Sequence, residues 1–422
     1  IDWNLIRGKY LFNKIKEINK DLKCKNLLSL TYNGVLNKDF YANEGLRPDN
    51  YNTYQLFQKD DLVFKMIDLE NVKTSRVGIV HEYGIMSSAY IRFQPIKDKI
   101  HPKFAYWFFY DLYKKEIYNS IGSGVRSTLS SDDMSEFEIP LPKIEEQKMI
   151  THYLDKKTEQ IDRLVQKIQK KIELIKEQQT SLINKYVTKG TDSSVEMKES
   201  RVKWIGDIPK HWKLGRFKYY ISVLTDYTAN GSFKSLADNV EYLSEGYSRL
   251  VRLTDLRRDL QNDGVFVSIE SHNFLKKSEL FGNEILIANV GAYTGLALKM
   301  KSKQGVCTLG PNMFLVRNNN EMSNIDYIVY LINSYSIKTA LDLVISSTAQ
   351  PKINKDNLKS LVVPIPPKKE QEEIAFALNE TLKTIDNVID KKNKRVLLLQ
   401  EYKQSLISSA VSGKVRITED MI

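Results

Sequence analysis

From Glu145 to Thr188 the chain places Leu154, Thr158, Ile161, Val165, Ile168, Ile172, Ile175, Gln179, Leu182 and Tyr186 at alternating steps of four and three. That spacing is the seam of a coiled coil, and the positions between are mostly charged or polar. It predicts one long helix with a single apolar stripe, which cannot be stable alone. The pattern returns 224 residues later as Leu378, Leu382, Ile385, Ile389, Lys392, Val396, Leu399, Lys403, Leu406 and Ala410. Each stripe needs a cover, and the other stripe is the natural one. Leu154, Ile161, Val165, Ile168, Ile172, Ile175 and Leu182 are therefore expected to pair with Leu378, Ile385, Ile389, Val396, Leu399 and Leu406. Thr158, Gln179, Lys392 and Lys403 interrupt the seam with polar groups, which in coiled coils set register at some cost in stability. At about 1.5 Å per residue each helix would be roughly 65 Å long, enough to act as a ruler.

Elsewhere the apolar runs are short. Asp61 to Lys65, Glu284 to Asn289 and Met313 to Arg317 read as strands, while Phe104 to Tyr113 and Ile325 to Asn333 have the length and buried face of core helices. Asn33-Gly34, Asp263-Gly264 and Gly122-Ser123-Gly124 read as turns. Pro140-Leu141-Pro142 and Pro364-Ile365-Pro366-Pro367 should stop the strand before each long helix, and Gly190 and Gly413 should close the helices. The fold class is α+β, with two mixed α/β units of many short strands, each followed by a long helix. The expected organisation is a first globular domain at 1–143, a first spacer helix at 144–190 and a linker at 191–201. A second globular domain at 202–367, a second spacer helix at 368–413 and a tail at 414–422 follow.

The repeat extends beyond the helices. Leu56-Phe57 falls on Leu280-Phe281 at the same offset, whereas Trp3, Arg7, Lys9 and Tyr10 match Trp212, Arg216, Lys218 and Tyr219 at an offset of 209. The second unit thus carries an insertion of 15 residues, the difference between the offsets 224 and 209. A period this long is not a solenoid repeat of about 20–50 residues, so whole domain-plus-helix units are duplicated, as suits a two-part target. Trp204 to His211 has no full counterpart before Trp3, and the first unit is expected to lack its start.

At 422 residues the chain can bury two cores, and its net charge of +11 points to a polyanionic partner. Nucleic acid is favoured over membrane, because no long apolar span, signal pattern or lipidation motif is present. Cys24 and Cys307 do not make a disulfide framework or a zinc site, which fits a cytoplasmic location, and the five histidines form no ligand-like pair. No metal or cofactor is expected. The Asn/Asp-Pro-Pro-aromatic tetrapeptide of amino-methylation and a Walker-type loop are both missing. Pro48-Asp49 followed by Glu70 matches a nuclease carboxylate pair only in part, since Val72 stands where lysine is needed.

Three stretches carry a family resemblance. They are Trp204 to Trp212, Glu284 to Gly295, and Gly122 to Gln147 with its partner Ala349 to Gln371, in which a Pro-x-Pro step leads to Glu-Gln and a long helix twice. With these the chain resembles the specificity subunit of type I restriction-modification systems over nearly its whole length. The resemblance implies two target recognition domains, each reading one half of a bipartite double-stranded DNA site. It also implies that the two helices pack antiparallel as a spacer and dock methylation subunits, two of them, with two restriction subunits beyond. Such a chain is not an enzyme; the methylation subunits would supply S-adenosylmethionine and flip the target base.

Base readout needs Arg, Asn, Gln, Ser or Thr on loops and helix ends, with Lys and Arg on phosphates. Lys73, Ser75, Arg76, Ser123, Arg126, Ser127 and Thr128 are the candidates in the first domain. In the second they are Arg252, Thr254, Arg257, Arg258, Asn289, Tyr293, Thr294, Gln350 and Lys352. Gly291 to Gly295 is either a plain turn or a phosphate-facing loop, and the resemblance favours a loop that faces DNA. The competing reading of the whole chain is a coiled-coil scaffold or regulator with basic domains.

Overall fold

The structure is a computed structural model that describes residues 3–40, 50–67, 69, 75–121, 128–300, 305–345 and 350–422. The chain forms two compact units. One holds Ile1–Lys170 with Lys392–Ile422, the other Lys171–Lys391. Each therefore combines a globular part with the first portion of one long helix and the last portion of the other.

The first unit contains β1 (Asn4–Arg7), β2 (Phe12–Lys14), β3 (Leu27–Thr31), β4 (Gly34–Lys38), β5 (Gln55–Phe57), β6 (Leu62–Phe64), β7 (Val77–Ile79), β8 (Gly84–Met86), β9 (Ile91–Pro95) and β10 (Glu138–Leu141). Its helices are α1 (Pro102–Lys114), α2 (Ile117–Ile121), α3 (Ser131–Ser135) and the start of α4 (Ile144–Lys189). The second unit contains the hairpin β11 (Met197–Glu199) and β12 (Asp207–Pro209), then β13 (Lys213–Arg216), β14 (Ile221–Asp226), β15 (Ser248–Val251), β16 (Val265–Val267), β17 (Glu279–Leu280), β18 (Ile285–Ala288), β19 (Ala297–Lys299), β20 (Cys307–Leu309), β21 (Met313–Asn318) and β22 (Val362–Ile365). Its helices are α5 (Phe233–Asn239), α6 (Leu253–Leu256), α7 (Ile269–Phe274), α8 (Ile325–Asn333), α9 (Tyr335–Asp342), α10 (Lys355–Ser360) and the start of α11 (Lys368–Val411).

The two units share one topology. The sheet order β2-β9-β6-β7 in the first is β14-β21-β18-β19 in the second, and β4-β3-β8-β5 becomes β16-β15-β20-β17. The ladder β1-β10 becomes β13-β22. Every residue of β6 and β18 is buried, because both are inner strands. Burial on both faces is why they read as unbroken apolar runs and not as alternating ones. The step from Phe12 to Leu27 corresponds to the longer step from Ile221 to Ser248, so most of the insertion lies between β14 and β15 and includes α5.

The strands end as expected, β10 at Leu141 and β22 at Ile365, directly before Pro142 and Pro366, but the first proline of each pair lies inside its strand. Pro140 pairs with Leu5 inside β10, and Pro364 pairs with Leu214 inside β22. Each ladder has only two strands, so a residue without an N–H is tolerated on the open edge, and the strand runs on through it. What fixes the turn into each long helix is the glutamine that follows. Gln147 is fully buried; its Nε2 donates to the Pro142 carbonyl at 2.9 Å and its Oε1 accepts from the His101 N–H at 2.7 Å. Gln371, equally buried, donates to the Pro366 carbonyl at 3.0 Å and accepts from the Asn324 N–H at 2.9 Å. Both thereby tie a long helix to the start of α1 or α8.

The long helices run antiparallel. In the first unit Ile150 and Leu154 of α4 share a core with Leu406, Ile407, Ala410 and Val411 of α11. In the second, Leu182, Ile183 and Val187 pack with Ile374, Leu378, Leu382 and Ile385. Ile161, Val165, Ile168, Ile172, Ile389 and Val396 are buried as well, and Ile175 and Leu399 are half-buried. Two polar seam positions find partners across it: Lys403 Nζ reaches both oxygens of Asp162 at 2.7 Å, and Gln179 Nε2 donates to Asp386 Oδ1 at 3.3 Å. These are equivalent positions of the repeat, so the register is marked twice. The helices end where glycine takes a positive φ, +77° at Gly190 and +71° at Gly413. Each glycine also sits against a tryptophan, Trp212 and Trp3 respectively, of its own unit.

Candidate nucleic-acid interface

In the second unit three loops meet at one end of the sheets. The first begins where β15 passes into α6. Asp255 is fully buried and accepts from the Arg252 N–H at 2.8 Å, from Arg252 Nε at 3.0 Å and from Asn262 Nδ2 at 2.8 Å. Burial alone would raise its carboxyl, but the hydrogen bonds from Arg252 and Asn262 together with the guanidinium charge hold it below the ordinary carboxylate range. Arg252 is thus a brace, and Thr254, Arg257 and Arg258 project from the braced turn as exposed residues.

The second loop joins β18 to β19. Gly291 (φ +93°) and Gly295 (φ +88°) adopt the left-handed conformation that other residues avoid, which makes the turn compact. Tyr293 is exposed on it, with the Arg257 guanidinium 4.3 Å from its ring centroid. A cation–π contact of this kind steadies the guanidinium and leaves the N–H groups that point away from the ring available. The third loop precedes α10 and is sewn to the second. The Gly291 N–H donates to the Pro351 carbonyl at 2.9 Å, the Ile353 N–H to the Asn289 carbonyl at 3.0 Å, and Val290 bridges to Lys352. Thr294 Oγ1 lies 2.7 Å from the Gly291 carbonyl and 3.0 Å from that of Pro351, so this hydroxyl braces the loops. Gln350 and Lys352 are exposed.

Arg252, Thr254, Arg257, Arg258, Asn289, Tyr293, Thr294, Gln350 and Lys352 accordingly form one cluster, divided between braces and outward-facing groups. The first unit differs. Ser75 and Arg76 were expected to face a ligand, and both are buried. Ser75 Oγ donates to the Val77 carbonyl at 2.8 Å, and the Arg76 guanidinium donates to the carbonyls of Lys65 at 3.3 Å and Ile67 at 3.1 Å. A buried arginine needs such acceptors, and here it serves the end of β6 and not a partner. Thr128 is exposed. Lys73, Ser123, Arg126 and Ser127 lie outside the described residues, as do Pro48, Asp49, Glu70 and Val72.

A further candidate that the sequence did not single out is Tyr32, 63% exposed on the β3–β4 turn, with Lys114 Nζ 5.9 Å from its ring centroid. Topologically this turn corresponds to the β15–α6 region, and the repeat register could have found it. Also missed was a cleft of about 950 Å³ beside the second unit's cluster, walled by the inserted segment. Among the described residues no group of three or more His, Cys, Asp or Glu is placed to hold a metal ion. No helix among them is long and apolar enough to cross a membrane.

A family model described as the type I restriction modification DNA specificity domain matches twice, over residues 6–174 and 233–398. The chain belongs to the type I restriction-modification DNA specificity family. It is similar to the putative type I restriction enzyme MjaX specificity subunit of Methanocaldococcus jannaschii, 24% identical over 385 residues, covering 89% of this chain and 82% of that one. The MjaVIII specificity subunit of the same organism is 25% identical over 348 residues, with 79% and 75% covered. The EcoKI specificity subunit of Escherichia coli K12 is 22% identical over 311 residues, with 72% and 63% covered. Among solved structures, a chain of a type I R-M system superposes with a TM-score of 0.73 at 12% identity, covering 97% of both chains. The HsdS subunit from Thermoanaerobacter tengcongensis gives 0.53 at 13% identity, with 98% and 97% covered. These likenesses establish the fold of a type I specificity subunit.

Proposed function

We propose that this specificity subunit reads a bipartite double-stranded DNA site in a cytoplasmic type I restriction-modification complex, one half-site per recognition domain, and does no chemistry itself. The recognition domains would be residues 1–143 and 202–367, with the spacer helices at 144–190 and 368–413, the linker at 191–201 and the tail at 414–422. The paired helices would set the half-site spacing and dock two methylation subunits, with two restriction subunits joining that assembly.

The observation that carries the reading is the loop cluster of the second unit. Exposed Arg257, Arg258 and Lys352 bring positive charge for phosphates, while Asn289, Gln350, Thr254 and Tyr293 offer groups for base edges. Arg252 and Thr294 would position these loops. In the first domain Thr128, Lys73, Ser123, Arg126 and Ser127 are proposed for the same role, together with Tyr32 and Lys114. The test is fluorescence anisotropy of labelled duplexes with this chain and its methylation subunits. Sequence-selective binding that weakens steeply with salt is expected. Binding indifferent to sequence would reject the assignment.

A further inference from the structure

The cleft of the second unit lies between the inserted segment, Asp226 to Tyr242, and the loops around Asn289, Pro311 and Lys352. Its volume of about 950 Å³ falls within the roughly 300–1,000 Å³ of sites that hold small organic groups. Tyr227, Leu236, Val240 and Phe314 give it apolar walls suited to a flat ring. Its polar end is formed by Asn289 and Lys352, both members of the loop cluster. Asn289 Oδ1 is buried with no hydrogen-bond partner, which is a reason for the amide to turn toward a donor that enters the cleft. Asp226, also lining the cleft, is neutralised by Lys355 at 2.9 Å, so an anionic backbone would meet little repulsion there. On the rim stands Phe233, 82% exposed, the most exposed bulky apolar side chain among the described residues.

We propose that this cleft receives an unstacked nucleobase of the bound duplex. The ring lies between the apolar walls, its polar edge meets the Asn289 amide, and its phosphodiester lies at Lys352. Phe233 acts as the apolar wedge that parts the base step, a role that accounts for leaving a phenyl ring in water. The inference rests on the reading that the adjoining loops face DNA. It gives the second recognition domain a contact for which the first, lacking the insertion, has no equivalent segment.

The test uses the full chain assembled with its methylation subunits, on duplexes carrying the sequence that complex methylates. 2-Aminopurine is placed at successive positions of the half-site read by the second domain, leaving out the methylated base, which the methylation subunits would flip themselves, and fluorescence is recorded with anisotropy at saturating protein. At one position the fluorescence should rise several-fold on binding. Ala237→Trp, which fills the cleft from an exposed position, and Phe233→Ala should each abolish that rise on fully bound duplex. A probe that stays dark at every position while anisotropy shows selective binding overturns the cleft proposal alone. So does a rise that both variants leave intact, since the base then leaves the stack elsewhere. Failure of the unmodified complex to bind selectively would instead remove the reading on which the inference rests. In a second arm dAMP and dTMP are titrated into the full chain. Saturable binding abolished by Ala237→Trp, without any duplex signal, would assign the cleft to free nucleotides and overturn the proposal, as would its occupation by a segment of a methylation subunit in a structure of the complex.

Discussion

The two units share the order of both four-stranded sheets and of one two-stranded ladder, and differ, among the described residues, in the loops at which the second unit gathers its cluster. Apart from the β11-β12 hairpin of the second unit, the sheets are repeated strand for strand. So is the buried glutamine at each helix start, and so is a hydrogen bond from the core helix to the long helix, although the residues that make it differ. In the first unit Trp107 Nε1 donates to Asp155 Oδ1 at 3.1 Å; in the second the Tyr330 hydroxyl donates to Asn379 Oδ1 at 2.5 Å. At the loops the likeness ends. The second unit has the Arg257–Tyr293 contact and a cleft walled by inserted residues, whereas the first buries Arg76 where a surface cation was expected. Packing constrains the frame in both copies alike, whereas side chains exposed on the loops can diverge without disturbing it. That is the pattern required of two readers of different half-sites held on a common frame.

The strongest way to break this comparison is to charge the shared seam. Leu154 and Leu378 are equivalent and fully buried, one in each unit. Leu154→Asp and Leu378→Asp should each destabilise by several kcal/mol, because a carboxylate would be left unpaired in the seam. Both should abolish assembly with methylation subunits on a sizing column. Normal assembly by either variant would mean that the helix pair does not hold that unit together.

Next comes the glutamine lock. Gln147→Ala and Gln371→Ala each leave backbone groups without a buried partner, at a cost of about 2 kcal/mol. Chemical denaturation should find the two losses equal within error, and a large inequality would show that the frames are less alike than their topology.

A third change sharpens the contrast, because it touches a brace of the second unit that has no counterpart at the equivalent turn among the described residues of the first. The Asp255 carboxyl is held below its unfolded value. Its contribution is therefore fully present above the unfolded carboxylate pKa and is lost as pH falls through the depressed folded value. Asp255→Asn should cost about 2 kcal/mol at neutral pH, in line with hydrogen bonds to a charged group. The penalty should shrink on acidification, as read from thermal melts between neutral and acid pH.

The smallest effect is expected at the surface. Arg258→Ala should leave stability unchanged and weaken DNA binding across sequences, reducing the salt slope by about one. A loss confined to one base position would make Arg258 a reader of a base edge.

The long helices were legible because the seam spacing and the flanking prolines and glycines are local signals, repeated at one offset. Strand order was not. Strands of three residues such as Leu62–Phe64, buried on both faces, carry no alternation from which a neighbour could be deduced. The second unit's cluster was legible through its glycines and its arginine pair, since positive φ and charge are properties of residue type. Ser75 and Arg76 were misread for the converse reason. Nothing in the residues around an arginine says that the carbonyls of Lys65 and Ile67 will enclose it. The cleft escaped notice because its walls come from segments as far apart in sequence as Tyr227 and Ile353, and the unequal offsets of the repeat were its single trace.

The central claim is that a common frame carries two independent readers, and exchange of one reader tests it most directly. Residues 1–143 are replaced by the same region of a related specificity subunit, and the complex is expressed with its methylation subunits in a host whose methylome is then sequenced. One half of the methylated sequence should change, while the other half and the spacing between them stay the same. A change in both halves, or in neither, would contradict the account.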